Sequence, residues 1–299
     1  MQQVTVRVPA STSNLGPGLD CLGIALRLYN YVTVTRGAKP RPHAIVSQAA
    51  DLFFRHARCA SFPFSVSIRG DVPRSRGLGS SVTLRLGILY ALNALTGNRL
   101  DRLSIFRLCV QLEGHPDNAA PAVFGGFTVA QSSASVSLAR GKRHACPKFQ
   151  RFEVAPRLYF VLLIPEIEIR TSIARKILPS RIARDAAVEN CANACAITAS
   201  FASRNYEKLR GAFGDQLHQP FRTKLIPLLP GVITAAEKAD ALGAFLSGSG
   251  STICAVTLRD RDRIAAAMKR AARSAPSRTV IVTADNHGAR FVRSPTIGH

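Results

Sequence analysis

The chain has 299 residues, 46% of them hydrophobic, and is therefore long enough to bury one large core or two ordinary ones. Forty Lys and Arg residues against 18 Asp and Glu give a net charge of +22, but the basic residues are scattered and there is no tryptophan, so we expect no nucleic-acid partner. No apolar run of about 18 residues occurs and the N-terminus lacks a signal layout, so we expect a cytoplasmic protein without a membrane span.

The seven cysteines are an odd number and form no CxxC pair, which argues against a disulfide framework and against a zinc site. A reducing compartment fits this usage. Cys191 and Cys195 lie one helical turn apart, but no histidine stands beside them. We therefore expect both to be buried, as small apolar side chains.

The N-terminal region begins with an alternating pattern that predicts a strand over 4–8, ending at Pro9. The following segment, ASTSNLGPGLDCLG (10–23), is rich in turn residues and predicts a loop that turns a corner or wraps a ligand. Residues 26–35 read as another strand. The pattern over 37–63 is irregular, with a short helix predicted near 51–56.

A glycine-rich loop, PRSRGLGSSVT (73–83), lies between a predicted strand around 64–68 and a predicted helix over 84–95. Gly77 and Gly79 allow unusual backbone dihedrals and leave no side chain between the main chain and a ligand. Ser80 and Ser81 can cap the helix, whose free N–H groups would then attract a phosphate. The loop is neither a P-loop nor a GxGxxG motif, so a plain capping turn is the alternative.

A second helix is predicted over 98–113, with Asp101 as its N-cap and an apolar stripe along one face. Glu113 stands at its end, next to GHPDNAAPAVFGG (114–126). Short strands are predicted over 127–131 and 135–138.

The basic segment 140–148 is the predicted domain boundary, which gives domains 1–148 and 149–299. Beyond it we predict strands over 158–164, 244–246, 253–257 and 279–283, and helices over 173–177, 181–202, 206–213, 232–241 and 260–273. Strands and helices mix without strict βαβ alternation. An α+β fold follows, with helices against mixed or antiparallel sheets.

Six segments, taken in order, resemble the homoserine kinase family of the GHMP small-molecule kinases. They are PASTSNLGPGLDCLG (9–23), PRSRGLGSSVT (73–83), EGHPDNAAPAVFGGF (113–127), RTSIARKILP (170–179), HQPFRTKLIPLLPG (218–231) and FLSGSGSTICAV (245–256). The resemblance implies a ribosomal-protein-like N-terminal domain that binds the nucleotide and a ferredoxin-like C-terminal domain. It also implies a homodimeric enzyme that makes O-phospho-L-homoserine from ATP and L-homoserine in threonine biosynthesis.

The resemblance also implies roles for individual residues, each of which alone has a plain explanation as a turn former, a helix cap or a surface charge. Substrate contacts fall on Asn14, Asp20, His115, Thr171, Arg175 and Arg222. ATP contacts fall on Pro73, Arg74, Ser75, Arg76, Gly77, Leu78, Gly79, Ser80, Ser81, Val82 and Thr83. The implied Mg²⁺ ligands are Glu113 with Ser80 or Ser81, and the implied catalytic residues are Glu113, Asn118 and Ser80.

The chemistry of a zwitterionic alcohol agrees with this assignment. Arg175 and Arg222 can grip its carboxylate through paired hydrogen bonds, and Asp20 can hold its ammonium group. Some relatives place an aspartate base where Asn118 falls, and an amide cannot accept a proton in that way. We therefore expect direct in-line attack by the hydroxyl, without a dedicated general base.

Two pairs of residues depart from the family pattern. Val82 and Thr83 replace two alanines, and Ser249 and Ser251 stand where alanine and proline are usual. Two alternatives therefore stay open. One is a GHMP-type kinase that acts on another small alcohol, such as an isoprenoid alcohol or a sugar, and the other is a non-catalytic basic binding protein of the same fold.

Overall fold

The computed structural model describes residues 2–37, 43–131, 148–273 and 275–292. The strands are β1 (Gln3–Asn14), β2 (Gly18–Arg36), β3 (Phe64–Gly70), β4 (Phe127–Ala130), β5 (Phe149–Phe152), β6 (Tyr159–Pro165), β7 (Gly243–Leu246), β8 (Ile253–Thr257), β9 (Ser277–Thr283) and β10 (Arg290–Phe291).

The helices alternate with these strands in an irregular order. They are α1 (Ala44–Ala57), α2 (Ser80–Leu95), α3 (Arg102–Glu113), α4 (Ala119–Phe124), α5 (Thr171–Lys176), α6 (Arg184–Ala202), α7 (Gln219–Arg222), α8 (Leu229–Lys238) and α9 (Arg261–Ala271), with a 3₁₀ turn at Tyr206–Leu209. Within the described ranges, no helix is both long and apolar enough to cross a bilayer.

The first sheet has the strand order β10-β1-β2-β4-β5, and β3 also pairs with β2. The long strand β2 reaches both neighbours because its C-terminal part pairs with β3 and its N-terminal part pairs with β4. Its alternating residues, among them Val32 and Val34, are buried against α1, α2 and α3. This sheet therefore carries the helices on which the glycine-rich loop and Glu113 lie.

The second sheet has the order β7-β8-β6-β9, and each of its pairs is antiparallel. One of its faces packs against α8 and α9 through Val161, Ala255 and other small or branched residues. Its other face shares a hydrophobic cluster with the first sheet, in which Phe127 stacks on Phe201 at 4.2 Å between ring centroids. Antiparallel sheets covered by helices confirm the α+β prediction.

Most predicted elements are present, with shifted ends. Asp101 is the N-cap of α3 as predicted, and its carboxylate accepts from Ser104 N at 2.7 Å. The helix predicted over 206–213 is only a 3₁₀ turn, and the sequence analysis missed α4, α7, β5 and β10. The strand predicted over 135–138 lies outside the described residues.

The proposed division at 148/149 remains a prediction, and most of the segment 140–148 lies outside the described residues. The first sheet contains β5 and β10, which follow residue 148 in the chain.

Two other expectations were wrong. Cys191 and Cys195 are exposed, because α6 buries Asn190, Ile197, Ser200 and Phe201 on the opposite face. Neither Ser80 nor Ser81 caps α2. The N-cap is Gly79, whose left-handed φ of 68° turns the chain into the helix without any side-chain cap.

Candidate active site

The tip of the β1–β2 hairpin forms one wall of the site. The segment 10–23, predicted as a loop, is mostly strand, and only three residues separate Asn14 from Gly18. Asn14 and Asp20 adopt left-handed φ values of 72° and 62° at the two ends of the turn. Asn14 Oδ1 accepts from Asp20 N at 3.1 Å, and this bond ties the Asn14 side chain to the main chain at Asp20.

The glycine-rich loop and the first turn of α2 form the opposite wall. The first N–H groups of a helix have no partner within the helix, and they carry the positive end of its dipole. Here Thr83 N is the first that bonds back into the turn, to Gly79 O at 3.0 Å. No acidic residue lies in this first turn to compete for those groups, so it can receive an anion.

Glu113, at the end of α3, lies beside the start of α2. Ser81 Oγ is 2.8 and 2.9 Å from its two carboxylate oxygens. Arg85, one turn further along α2, forms an ion pair with Glu113 Oε1 at 2.6 Å. Both side chains of this ion pair are largely buried, which holds the carboxylate in one orientation next to the glycine-rich loop.

Asn118 and Asp117 stand just before α4, between the two walls. The Asn118 amide accepts from Ser11 Oγ at 2.8 Å and donates to Ser13 Oγ at 2.8 Å, so the donors and acceptors of this side chain are engaged. Asn118 Nδ2 is also 3.2 Å from Asp117 Oδ2. Burial raises the pKa of Asp117 above its ordinary value and the negative charge of Asp20 raises it further, while His115 opposes the shift.

Arg175 reaches across from α5 to the hairpin tip. Its two terminal nitrogens donate to the two oxygens of Asp20, at 2.6 and 3.2 Å. About a third of each side chain is exposed, so the pair is accessible from solvent. The guanidinium and the carboxylate therefore form a bidentate ion pair at the cavity, and a charged ligand would contact either group by exchanging with its partner.

Arg222 approaches the same space from beneath and is only 2% exposed. Its Nε donates to Ala174 O at 3.2 Å, and its Nη1 donates to Gly248 O at 2.8 Å. Burial lowers the pKa of Arg222 to about 10, and the neighbouring charge of Arg175 lowers it as well, which leaves the group charged at neutral pH. Nη2 makes no hydrogen bond within the described ranges and is available to a ligand.

These groups enclose one cavity of about 170 Å³. The residues from the sequence prediction that line it are Asn14, Asp20, Ser75, Gly77, Gly79, Ser80, Ser81, Val82, Glu113, His115, Asn118, Thr171, Arg175 and Arg222. The carboxylate of Asp20, the two guanidinium groups and the start of α2 therefore share one space. The groups that the sequence analysis assigned to an amino-acid substrate and to a phosphate thus lie in the same cavity.

A second cavity of about 390 Å³ lies beside the first and shares Ser75, Ser80 and Ser81 with it. Its remaining walls are apolar or basic except for Asn30. They are formed by Asn30, His43, Ile45, Ile68, Arg69, Gly70, Val72, Arg74 and Leu84. The two cavities thus meet at the glycine-rich loop.

Four residues of the predicted ATP set line neither cavity: Pro73, Arg76, Leu78 and Thr83. The Arg76 side chain turns away to Pro165 O, at 2.9 Å. Leu78 and Thr83 are buried. The Thr83 hydroxyl, a departure from the family pattern, donates to Ser80 O and accepts from Asn30 Nδ2, so the substitution is accommodated by a partner on β2.

Sequence reasoning missed several lining residues, namely Ser13, Asp117, Ile169, Arg170, Gly248 and Ser249. Among them is Asp117, which stands between His115 and Asn118 in a segment that the sequence analysis had already selected. Its burial was the missing information, because the sequence pattern does not show which side of a short turn faces inward.

Family models match both halves of the chain. The model described as GHMP kinases N terminal domain matches residues 44–126, and the model described as GHMP kinases C terminal matches residues 197–274. A homoserine kinase from Caldicellulosiruptor bescii is 35% identical over 96% of this chain and 96% of its own length. A homoserine kinase from Microchaete diplosiphon is 37% identical over 95% and 94%.

Solved structures give the same picture of the fold. The crystal structure of homoserine kinase from Cytophaga hutchinsonii superposes with a TM-score of 0.84, at 25% identity over 98% of both chains. The mevalonate kinase of Methanococcus jannaschii gives 0.68 at 13% identity, over 94% of this chain and 98% of its own, which shows a shared fold alone. The expected two-domain GHMP kinase fold is confirmed.

Proposed function

The chain belongs to the homoserine kinases of the GHMP kinase family, and we propose that it transfers the γ-phosphoryl group of ATP to the hydroxyl of L-homoserine. It is an ATP-dependent phosphotransferase with an alcohol acceptor. The product is O-phospho-L-homoserine, an intermediate of threonine biosynthesis. The rest of the proposal assigns this reaction to the residues around the cavity.

One observation carries the substrate assignment: Asp20, Arg175 and Arg222 line the same cavity as the glycine-rich loop. A small amino acid with a side-chain hydroxyl can contact groups of both signs there, with its ammonium at Asp20 and its carboxylate at the two arginines. A second carboxyl group, that of Asp117, lines the same cavity. An isoprenoid alcohol or a sugar offers no carboxylate to the buried Arg222 and no charged group that could replace either partner of the Arg175–Asp20 ion pair.

The nucleotide lies across the two cavities in this proposal. The phosphates approach the start of α2, where free main-chain N–H groups point outward. The base and ribose occupy the second cavity, whose apolar residues include Ile45, Ile68 and Leu84. Since Ser75, Ser80 and Ser81 line both cavities, the γ-phosphoryl group comes next to the homoserine hydroxyl.

The residues at the cavity wall fit Mg²⁺, which prefers hard oxygen ligands and keeps several waters. Glu113 and Ser81 offer such oxygens side by side. Within the described ranges no group of three His, Cys, Asp or Glu side chains could hold a metal, so the phosphates and water would have to supply the other ligands. The bound ion would neutralise charge on the phosphates.

The protein's own part in the transfer is to orient the two substrates and to exclude water. Asn118 cannot take a proton, and its amide is held on both sides by Ser11 and Ser13. We infer that the hydroxyl attacks in line without a dedicated base, while the helix start stabilises the transferring group. A large rate increase in Asn118→Asp, with a new acidic limb in the pH profile, would contradict this.

The direct test is an ADP-release assay with ATP, Mg²⁺ and a panel of acceptors. We expect turnover on L-homoserine and at least about 100-fold lower kcat/KM on serine, threonine, mevalonate and galactose, because none of them presents the same hydroxyl at the same distance from two charged ends. Turnover on another acceptor without turnover on homoserine would overturn the substrate assignment.

Mg²⁺ dependence separates the two serines at the start of α2. Ser81→Ala removes the hydroxyl that contacts Glu113, so we expect the Mg²⁺ concentration for half-maximal rate to rise about tenfold. Ser80→Ala is the matched control, since Ser80 lines the same cavity but has no contact with Glu113 in the described structure. A larger shift in Ser80→Ala would assign the metal to Ser80 instead.

The homodimer and the cytoplasmic location expected from the sequence are also part of this proposal. Light scattering of the purified chain tests the first, with twice the chain mass of 32.2 kDa as the expected result.

A further inference from the structure

His218 is buried beneath the cavity and is not part of its lining. It is the residue before α7, and its side chain is 0% exposed. Its Nε2 is 2.8 Å from Gly16 O, at the tip of the β1–β2 hairpin. Its Nδ1 is 3.2 Å from Nη1 of Arg222. One ring therefore contacts both the hairpin tip and Arg222 from below.

The two contacts fix the protonation state of this ring. A carbonyl only accepts, so Nε2 must carry a hydrogen toward Gly16. A guanidinium only donates, so Nδ1 must be a free lone pair toward Arg222. His218 is therefore the neutral Nε2–H tautomer, and a protonated ring would place two cations against each other without a hydrogen bond between them.

The surrounding charges agree with a neutral ring. Burial lowers the pKa of His218 to about 4, and Arg222 lowers it as well, whereas Asp215 and Asp20 oppose the shift. Asp215 Oδ2 is 3.4 Å from Nε2. Its carboxylate also accepts main-chain N–H groups of Leu217, His218 and Gln219, so its charge is stabilised without a proton from the ring.

Arg222 and the hairpin also share one hydrogen-bond acceptor, the main-chain oxygen of Gly248. Gly248 O accepts from Arg222 Nη1 at 2.8 Å and from Asn14 Nδ2 at 2.9 Å. His218 adds the second connection, since it holds Arg222 on one side and Gly16 on the other. Together they fix the direction in which the free Nη2 of Arg222 points into the cavity.

We propose that His218 is a positioning residue. As the neutral Nε2–H tautomer, it orients Arg222 toward the substrate carboxylate and holds Arg222 in a fixed position relative to the hairpin that carries Asp20. This inference rests on the proposed function for the identity of the substrate. The tautomer and the Arg222 contact do not depend on that identity.

Two conservative variants separate the two contacts. The carbonyl of His218→Asn can stand where Nδ1 accepts from Arg222, and the amide of His218→Gln can stand where Nε2 donates to Gly16. We expect the Gln variant to raise KM for homoserine about tenfold or more, since the buried, charged Arg222 loses one of the two acceptors that hold its Nη1. The Asn variant should stay within about threefold, and KM for ATP should change less than about twofold in both.

A purely structural role would give a different result. Equal losses in the two variants, an equal rise in KM for ATP, or an unchanged KM for homoserine in the Gln variant would each overturn the proposal. Urea unfolding of each variant shows whether the protein is folded under the assay conditions.

Nuclear magnetic resonance tests the proposal on the unaltered protein and without substrate. Long-range ¹H–¹⁵N spectra of the imidazole rings, with the His218 signals assigned by their loss in His218→Asn, should show the Nε2–H tautomer unchanged between pH 5 and pH 8. An Nδ1–H tautomer, or a titration in that range, would refute the proposal even if homoserine proved not to be the substrate. Absence of homoserine turnover with the expected tautomer would refute only the proposed function.

Discussion

Replacing Arg175 by methionine lowers kcat/KM for homoserine by about 100-fold and leaves KM for ATP within about threefold. Two charge-assisted hydrogen bonds to a carboxylate are worth about 3 kcal/mol once partial exposure is taken into account. Methionine keeps most of the packing volume on α5 and removes only the charged fork. Steady-state kinetics with each substrate varied in turn measure this result.

Lys176→Met is the matched control for this variant. Lys176 is the next residue on α5 and an exposed cation, but it does not line the cavity, so its loss should change kcat/KM less than about twofold. A truncated substrate isolates the cause. The preference for homoserine over 3-aminopropan-1-ol, which lacks the carboxylate, should shrink in Arg175→Met, and an unchanged preference would show that Arg175 does not bind the carboxylate.

Gly77→Ala is expected to impair both folding and nucleotide use. A Cβ at Gly77 would lie 2.0 Å from Ser247 O and 2.9 Å from Gly250 N, which are main-chain atoms that cannot move aside cheaply. The residue also has a φ of +74°. We expect a loss of about 3 kcal/mol in the free energy of unfolding from strain and overpacking, and about a 100-fold fall in kcat/KM for ATP from the displaced loop.

Gly97→Ala provides the comparison, because Gly97 has a similar φ of +83° and a Cβ added there would have no atom within 4 Å. Its substitution should cost only the backbone strain, about 1 kcal/mol, and leave kcat/KM for ATP unchanged. Urea unfolding and ATP kinetics of the two variants measure the difference. Equal effects in both variants would show that close packing at Gly77 is unimportant.

The long periodic helices and the capped start of α3 could be predicted because local sequence determines them. Asp101 has a side chain that satisfies a free N–H, and an apolar stripe follows it, so the cap and the helix are both visible in the sequence. The apolar patterns of α2 and of the buried strand β8 could be predicted in the same way, although the predicted serine cap of α2 was wrong. Tertiary packing only shifts the ends of these elements by a few residues.

The strand conformation near the hairpin tip could not be predicted in this way, because its polar residues are typical of a loop. Ser11, Thr12 and Ser13 are fully buried within β1, and the hydroxyls of Ser11 and Ser13 bond to Asn118. Strand pairing with β2 decides this conformation, and that pairing involves residues outside any short window.

The sequence also did not show which face of a helix is buried. Cys191 and Cys195 were expected to be buried because free cysteine usually is. The charged residues of α6 are Arg184, Asp185 and Glu189, and none follows beside the cysteines to mark their side as outward. The site residues were predicted as a set through the resemblance to a family, and their roles stay predictions, whereas Asp117 and His218 required their burial and contacts to be known.

The path of the chain between its two sheets limits how the halves can move. After β5 the chain enters the second sheet, and after β9 it returns to place β10 against β1. A protein joined by two such crossings and a common apolar cluster cannot open like a clamshell about a single linker. Any closure around substrates must come from local displacement of short pieces such as α5, and cutting the gene after codon 148 would leave the first half without two of its strands.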